Sequence, residues 1–353
     1  MALILKKPTD KAKGIAVFTH KEWPWLLKNQ LPFLEELDKS FLLGWNQGTF
    51  IEAMTLPPII KFAFTSNNMI GTYNDNGVTE IFPYCDRNFL LKEFKNLKIQ
   101  EKYFDFICVS RAIKWKMVPS LLEAFRQILD TGRKFKALLV IPKAQNEDSN
   151  GADDVVNLYQ NLFNHEERKD IVLNRLSSEL GFMGMSPKMI NFLYNNSKVS
   201  YIGSKSEGTC RAVHEALLGG CKIVYYKNHK GGLVDYLNDR NSVSYEDHSK
   251  LTDSLIKALD SYNHDTEKID DYDYLLSERH TIDKLKEVFE PLYKKYGMEF
   301  DGEFINHDNL SNRLPAHYLD VPWFKDGNGI TADIENDKQL ESFINYINEI
   351  CSK

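Results

Sequence analysis

Residues 198–221, KVSYIGSKSEGTCRAVHEALLGGC, decide how this chain is read. An apolar run bounded by Gly203 gives way to a polar loop, Ser204–Gly208. A helical pattern follows, with Ala212, Val213, Ala216 and Leu217 on one face and Gly219-Gly220 as its stop. A strand that passes through small residues into a helix N-terminus builds an anion site. The first helical N–H groups have no partner within the helix, and the dipole leaves partial positive charge there. Glu207 stands in the loop, and Glu215 is expected two turns down the helix, about 80° around it at roughly 100° per residue. Two carboxylates flanking a phosphate cradle suit a ligand with a diphosphate in the middle and hydroxyls at both ends, which is the form of a nucleotide sugar. The pair alone is weak, because in a chain that is 27% charged two such glutamates are usually solvated helix surface. The order of elements strengthens it: apolar strand, S-E-G loop, E-A-L-x-G-G helix, then a further strand at Lys222–Tyr226.

At 353 residues the chain is long enough for two domains, and 42% hydrophobic residues make it globular rather than disordered. The net charge of −6, with acids and bases interspersed, offers no nucleic-acid surface. Cys85, Cys108, Cys210, Cys221 and Cys351 are scattered without C-x-x-C spacing, against a disulfide framework or a zinc site and for a reducing compartment. No apolar run reaches the roughly 18 residues of a membrane span, and the first residues, MALILKKPTDKAKG, are too polar for a signal peptide. The expectation is a soluble cytoplasmic protein.

Along the chain, Gly14–Thr19 reads as a strand, Leu26–Asp38 as a helix and Phe41–Trp45 as a second strand. The strand-end loop between them carries His20, Trp23 and Trp25, where an α/β sheet would bind a ligand. His20 is a candidate sugar contact and Trp23 or Trp25 a stacking platform; the alternative is that both tryptophans are core. Strands follow at Ile59–Thr65 and Thr79–Phe82. Asp105–Ser110 is a strand buried on both faces. It ends in a loop with Arg111, Lys114 and Lys116, then a helix, Val118–Asp130, with Pro119 in its first turn and Leu121, Leu122, Phe125 and Ile128 on one face. A strand at 135–142, a loop over 143–153, a helix at 155–163 and a strand at 171–173 come next. Ser186-Pro187 caps a helix at 188–195. Ser242–Tyr245 is the last strand, 251–262 and 275–296 are helical, 299–324 is a loop-like tail and 338–351 a closing helix.

With these residues in place, the chain resembles the family-4 (group 1) glycosyltransferases of the GT-B fold. Their Glu-x7-Glu motif reads here as Glu207-Gly-Thr-Cys-Arg-Ala-Val-His-Glu215. The resemblance implies that Glu207 contacts the donor hexose, Glu215 the ribose, and the amides of Gly208, Thr209 and Cys210 the sugar and phosphates. It implies further that Arg111 and Lys116 clamp the donor diphosphate, in a G-R-x-x-x-x-K-G segment where Ser110 and Met117 stand in place of glycine. Fixed cations there serve the chemistry because charge accumulates on the departing diphosphate. Lys114 is read as surface. Gly231-Gly232 matches a turn that opens a helix beside the donor site, and Asn174–Ser177 the region that holds the base. Pro83–Phe89 resembles the interdomain segment I-P-x-G-V-D-x-x-x-F, with Tyr84 for Gly and Cys85 for Val, which sets a boundary near residues 90–103.

The expected architecture is α/β, GT-B, two Rossmann-like domains facing across a cleft. Residues 1–100 would form an unusually short acceptor-side domain and 101–275 the nucleotide-sugar domain. Residues 276–353 would be helices and tail packing back on the first domain. The expected reaction is a retaining, metal-independent transfer from a UDP- or GDP-type sugar to a hydroxyl acceptor, in polysaccharide, glycan or glycolipid synthesis. The acceptor would be a glycan, a lipid-linked sugar or a small molecule, and a lipid-linked one would bring peripheral membrane contact. No nucleic-acid partner is expected. Two other readings stay open: another GT-B enzyme such as an epimerase or glycoside phosphorylase, and a non-catalytic nucleotide-sugar-binding protein. For an epimerase no convergent acid/base set is found, and the short N-terminal half motivates the binding protein.

Overall fold

The computed structural model describes residues 3–19, 22–46, 57–65, 80–83, 90, 93–142, 149–176, 185–232, 234, 236–263, 275–304 and 336–352. The chain divides into two compact units, Met1–Leu91 with Leu275–Lys353, and Lys92–Tyr274. No described helix is long and apolar enough to cross a membrane.

In the first unit, β1 (Leu3–Lys6), β2 (Gly14–Thr19), β3 (Phe41–Asn46), β4 (Ile60–Thr65) and β5 (Glu80–Pro83) lie in that order in one sheet. β1 is antiparallel to β2, and the other four are parallel. The period-two alternation of β2 sends Ala16 and Phe18 to one face and Ile15 and Val17 to the other, and each face has its own core. One face is covered by α1 (Glu22–Asn29) and α2 (Leu31–Ser40). The periodicity of 26–38 predicts a single helix, but the chain breaks at Gln30, whose φ of −136° is not helical. Pro32 explains the break: it has no N–H to donate, its ring would strike the carbonyl four residues back, and it is tolerated only in a first turn.

Helices from the far end of the sequence complete this unit. Leu285, Phe289, Leu292 and Tyr293 of α9 (Glu278–Lys295) fill the core under Ile15, Val17, Phe62 and Phe64. Leu340 and Phe343 of α10 (Asp337–Ser352) join Ala16, Phe18 and Trp23 on the opposite face.

The second unit is built on a six-stranded parallel sheet. Its strands are β6 (Phe104–Val109), β7 (Ala137–Ile141), β8 (Ile171–Arg175), β9 (Ser197–Ile202), β11 (Lys222–Tyr226) and β13 (Ser242–Tyr245). Their order across the sheet is β13-β11-β9-β6-β7-β8. A small separate ladder joins β10 (Ser206–Thr209) to β12 (Lys230–Gly232). The helices are α3 (Val118–Asp130), α4 (Ser149–Leu162), α5 (Glu167–Asp170), α6 (Pro187–Asn195), α7 (Arg211–Leu218) and α8 (Leu251–Asp260). The apolar stripe of α3 is buried at Leu121, Leu122, Phe125 and Ile128, and Ser186 caps α6 by accepting from the Met189 N–H. α4 starts several residues before the sequence pattern suggests, because Ala152, Val155 and Tyr159 already form a helical stripe into the core.

The stretch expected to carry the domain boundary packs on the second unit. The Lys95 and Leu97 N–H groups donate to the side-chain carbonyls of Asn191 and Asn195 at 3.0 and 2.7 Å. The ammonium of Lys102 donates to the carbonyls of Ser197, Gly219 and Gly220 at 2.9, 2.7 and 3.0 Å. It thereby closes the carboxyl end of α7, where unpaired carbonyls and the negative end of the dipole both favour a cation.

Phe343 is fully buried with its ring edge-on to Phe18 at 5.6 Å, so with Leu340 it anchors α10 on the sheet. Phe343→Ala is expected to cost about 3–5 kcal/mol, read as a lowered denaturant midpoint for the unit made of 1–91 and 275–353.

Candidate functional site at the switch point of the second sheet

The strand order of the second sheet reverses once. From β6 the chain builds outward through β7 and β8; it then returns to the other side of β6 and builds outward again through β9, β11 and β13. Right-handed crossovers on the two sides of such a reversal carry the connections to opposite faces, which opens a crevice at the carboxyl ends of the two central strands. The loops that leave those ends are 110–117 after β6 and 203–210 after β9. They hold Arg111, Lys116 and Glu207.

The first loop is anchored at both ends. The Ser110 N–H donates to the Val140 carbonyl at 3.1 Å, and Ala112 and Ile113 are buried. Gly151 of α4 lies so close that a Cβ there would stand 2.1 Å from the Ala112 carbonyl oxygen. Lys114–Lys116 is a 3-10 turn closed by the Lys116 N–H donating to the Ile113 carbonyl at 2.9 Å. Arg111 and Lys114 are exposed, whereas Lys116 is half-buried. Met117 then takes φ 53° and ψ 32°, the left-handed conformation, before α3 begins. A left-handed backbone favours glycine, the residue that the G-R-x-x-x-x-K-G pattern has at this place, and this chain holds it with methionine. Its carbonyl accepts from the Tyr201 hydroxyl at 3.2 Å, and Tyr201 pairs in turn with Tyr245 at 3.0 Å.

The second loop differs from the expected polar turn. Ser206–Thr209 is strand β10, with Glu207 opposite Gly231 and Thr209 opposite Gly232 of β12. Gly231-Gly232 is therefore the strand partner of the Glu207 segment, and among the described residues no helix opens from it. The Lys205 N–H donates to the Trp115 carbonyl at 2.8 Å, and the Lys205 carbonyl accepts from the Lys230 N–H at 2.9 Å. One residue thus stitches the two loops and β12 together.

α7 begins only at Arg211, so Glu215 lies one turn into the helix rather than two. An angle counted along a continuous helix from Glu207 does not apply. Gly208 and Thr209 belong to β10, and Cys210 is the N-cap of α7, buried and without a side-chain cap bond.

The ammonium of Lys116 is ion-paired to Oε1 of Glu207, with the two side chains 16% and 13% exposed. Burial lowers the pKa of Lys116, and the neighbouring Arg111 guanidinium pushes the same way. Burial raises the Cys108 thiol to about 12 and the Cys210 thiol above its usual value, so both are protonated and unreactive at neutral pH. Glu215 is half-buried near Tyr194, whose phenol is held well above its normal range by burial first and by Glu215 second. The site therefore presents cations at Arg111 and Lys116, carboxylates at Glu207 and Glu215, and main-chain amides at the start of α7. Among the described residues no group of three or more His, Cys, Asp or Glu is placed to hold a metal.

Sequence reasoning passed over His214. It is fully buried, its ring meets Tyr236 edge-on at 5.5 Å, and among the described residues neither ring nitrogen has a hydrogen-bond partner. Burial depresses its pKa to about 3. The signal was present: Cys210, His214, Leu217 and Leu218 follow the i, i+4, i+7, i+8 spacing of an inward stripe.

Trp23 is corrected from a stacking platform to core. It is 1% exposed, its Nε1 donates to the Gly44 carbonyl at 3.3 Å, and its ring stands edge-on to Phe18 at 5.2 Å. α1 turns Trp23 and Leu26 toward the sheet, which leaves no ring face for a sugar. Trp25 is half-buried against the same cluster. His20, the 84–89 part of the interdomain segment, Ser177 and the tail residues His307, His317, Trp323 and Phe324 lie outside the described residues.

Two consequences of this geometry are measurable. A β-branched side chain suits a left-handed residue least, so Met117→Val is expected to destabilise by about 1–2 kcal/mol, and Met117→Gly by less, in urea unfolding. His214 has a folded pKa below its unfolded value, so the unfolded state binds the extra proton between roughly pH 6.5 and 3. Stability then falls as pH drops through that window, with a slope approaching about 1.4 kcal/mol per pH unit from this group. His214→Leu should flatten the profile there.

The sequence profile of the family described as "Glycosyl transferases group 1" matches residues 91–274, just over half of the chain. No curated protein matches the sequence. Among solved structures, the sucrose-phosphate synthase of Thermosynechococcus elongatus is similar over 79% of this chain and 73% of its own, at 14% identity and a TM-score of 0.56. A glycosyltransferase from Rickettsia africae is similar over 70% and 71%, at 14% identity and a TM-score of 0.51. TarM of S. aureus, solved with fondaparinux, α-GlcNAc-glycerol and UDP, is similar over 71% of this chain, at 11% identity and a TM-score of 0.52. This chain spans 51% of that one. At such identities the likeness is one of fold, and the fold is GT-B. With the profile spanning the whole unit that carries the switch-point site, the chain belongs to the group 1 glycosyltransferases.

Proposed function

We propose that this protein is a retaining, family-4-type glycosyltransferase that moves a sugar from a nucleotide-diphosphate sugar to a hydroxyl acceptor without a bound metal. The observation that carries the reading is the convergence, at one switch point, of two cations, two carboxylates and the amino end of α7. Arg111 and Lys116 hold the departing diphosphate, where preorganised positive charge is worth most as negative charge builds. Glu207 orients the sugar ring, the main-chain amides of Gly208, Thr209 and Cys210 meet the sugar and phosphates, and Glu215 holds the ribose. No side chain is nominated as general base. His214 is unsuited to that role, because it is fully buried and its pKa, pushed down to about 3, makes it too weak a base near neutral pH.

The donor is of UDP or GDP type. TarM carries UDP in its own structure, which makes a UDP-sugar the first donor to test. The acceptor is a glycan, a lipid-linked sugar or a small molecule, and the pathway one of polysaccharide, glycan or glycolipid synthesis. The cysteines are scattered without C-x-x-C spacing, in keeping with a reducing, cytoplasmic setting.

The direct test is thermal shift with UDP, GDP, ADP and their common sugars, repeated with Glu215→Ala. A ligand at about a hundred times its Kd stabilises the folded state by about 2.7 kcal/mol. One nucleotide class shifting the wild type but not the variant fixes the donor and the site; no shift with any of them refutes the reading. In kinetics, Glu215→Ala is expected to weaken donor binding more than it slows bound turnover, and Arg111→Ala the reverse, because the charge that Arg111 meets develops in the transition state. Equal losses of donor affinity with turnover untouched would remove Arg111 from the catalytic role.

A further inference from the structure

The ion pair between Lys116 and Glu207 joins two groups that the proposed reaction assigns to different parts of the donor, the diphosphate and the sugar. Their backbones are fixed independently of any ligand. Lys116 sits at the end of a closed 3-10 turn, and Glu207 on a strand whose neighbour Lys205 is bonded to the Trp115 carbonyl. The pair is thus built into the fold of the two loops. A buried or half-buried ion pair is costly to break by removing one partner, since the other charge is left desolvated and alone. At 16% and 13% exposure, water replaces the lost partner poorly on either side.

We infer that Glu207 is a specificity-determining residue that competes internally with the diphosphate for Lys116, and so makes the site prefer a nucleotide sugar to the bare nucleoside diphosphate. This rests on the reading of the site as the donor site. When a diphosphate reaches Lys116, the ammonium exchanges one anion for another and Glu207 is released. A nucleotide sugar supplies hydroxyl donors to the freed carboxylate, so every buried charge ends paired. A bare nucleoside diphosphate supplies none, and it leaves Glu207 unpaired beside added negative charge. After transfer the sugar has left with the acceptor, and the Glu207 carboxylate can take Lys116 back. The pair thereby drives release of the product that carries the same diphosphate as the substrate.

This gives an expectation opposite in sign to that for an ordinary binding residue. By titration calorimetry with UDP and UDP-glucose (or GDP and GDP-mannose, if thermal shift selects guanine), Glu207→Gln should bind the nucleoside diphosphate about tenfold more tightly than wild type. The nucleotide sugar should gain less or lose affinity, because its hydroxyls no longer meet a carboxylate. In a Lys116→Gln background the gain should vanish, since the cation competed for is gone. A folded Glu207→Gln protein, verified by its melting curve, with unchanged or weaker nucleoside diphosphate binding overturns the inference and leaves the donor site standing. A gain that persists without Lys116 overturns it as well. A wild type that binds neither probe refutes both the site and the inference. Should the Gln variant not fold, Glu207→Ala makes the same measurement.

Discussion

The ladder between β6 and β9 is the constraint on which the second unit depends. Phe106 pairs with Val199 and Ile107 with Ser200, although the strands lie far apart in sequence. Phe106 and Val199 share one core cluster with Leu121, Phe125 and Tyr201, so the register is held by burial on that face. A slip of one residue would turn each strand's apolar set to the wrong side and shift its terminal loop by about 3.3 Å. That shift is longer than a hydrogen bond. It would separate Lys205 from the Trp115 carbonyl and Lys116 from Glu207, the two links that join the loops. The geometry of the loops at the carboxyl ends is in this sense a property of hydrophobic packing several residues away.

Around those ends the protein tolerates arrangements it would not need for stability. Met117 holds a left-handed backbone without being glycine, and the Tyr201–Tyr245 hydroxyl pair beneath it supports the carbonyl that this conformation exposes. Gly203 follows Tyr201 on the same strand end, and a Cβ there would stand 2.1 Å from the tyrosine hydroxyl, so the support requires a glycine at that place. Lys116 is kept where burial lowers its pKa. His214 is kept where burial all but removes its charge. Strain and desolvation gathered around these loops and the helix that follows them are expected where a site is preorganised rather than where a fold is merely held together.

What the sequence disclosed followed from local periodicity. The buried strands β6, β7 and β9, the stripe of α3 and the Ser186 cap all express contacts within a few residues or a uniform environment. The Arg111, Lys116 and Glu207 positions were legible because their spacing from strand ends is short and the ends themselves were clear. What was not legible depended on partners distant in sequence. β10 has no apolar alternation and exists because β12 lies beside it. The late start of α7, and with it the position of Glu215, follows from that pairing. Trp23 read equally as surface or core until α1 was seen to begin before it rather than after, which turns its ring to the sheet. His214 was hidden by its residue type, since an inward stripe is sought among apolar residues.

The first unit shows why its boundaries could not be drawn from the first hundred residues. β2 to β5 are parallel and step in one direction across the sheet. Right-handed crossovers between strands that always step the same way place their helices on a single face. α1 and α2 accordingly lie on the face of Ala16 and Phe18. The opposite face carries Ile15, Val17, Leu42, Phe62 and Phe64, and it would remain exposed if the unit ended at β5. A parallel sheet is stable only when both faces are covered. α9 supplies the missing layer through Leu285, Phe289, Leu292 and Tyr293, from far along the sequence. The second unit needs no such loan, because its strand order reverses and its own crossovers reach both faces. The reversal that opens the candidate donor crevice also makes that unit self-sufficient, and the first sheet, which does not reverse among its described strands, must borrow its cover from the end of the chain.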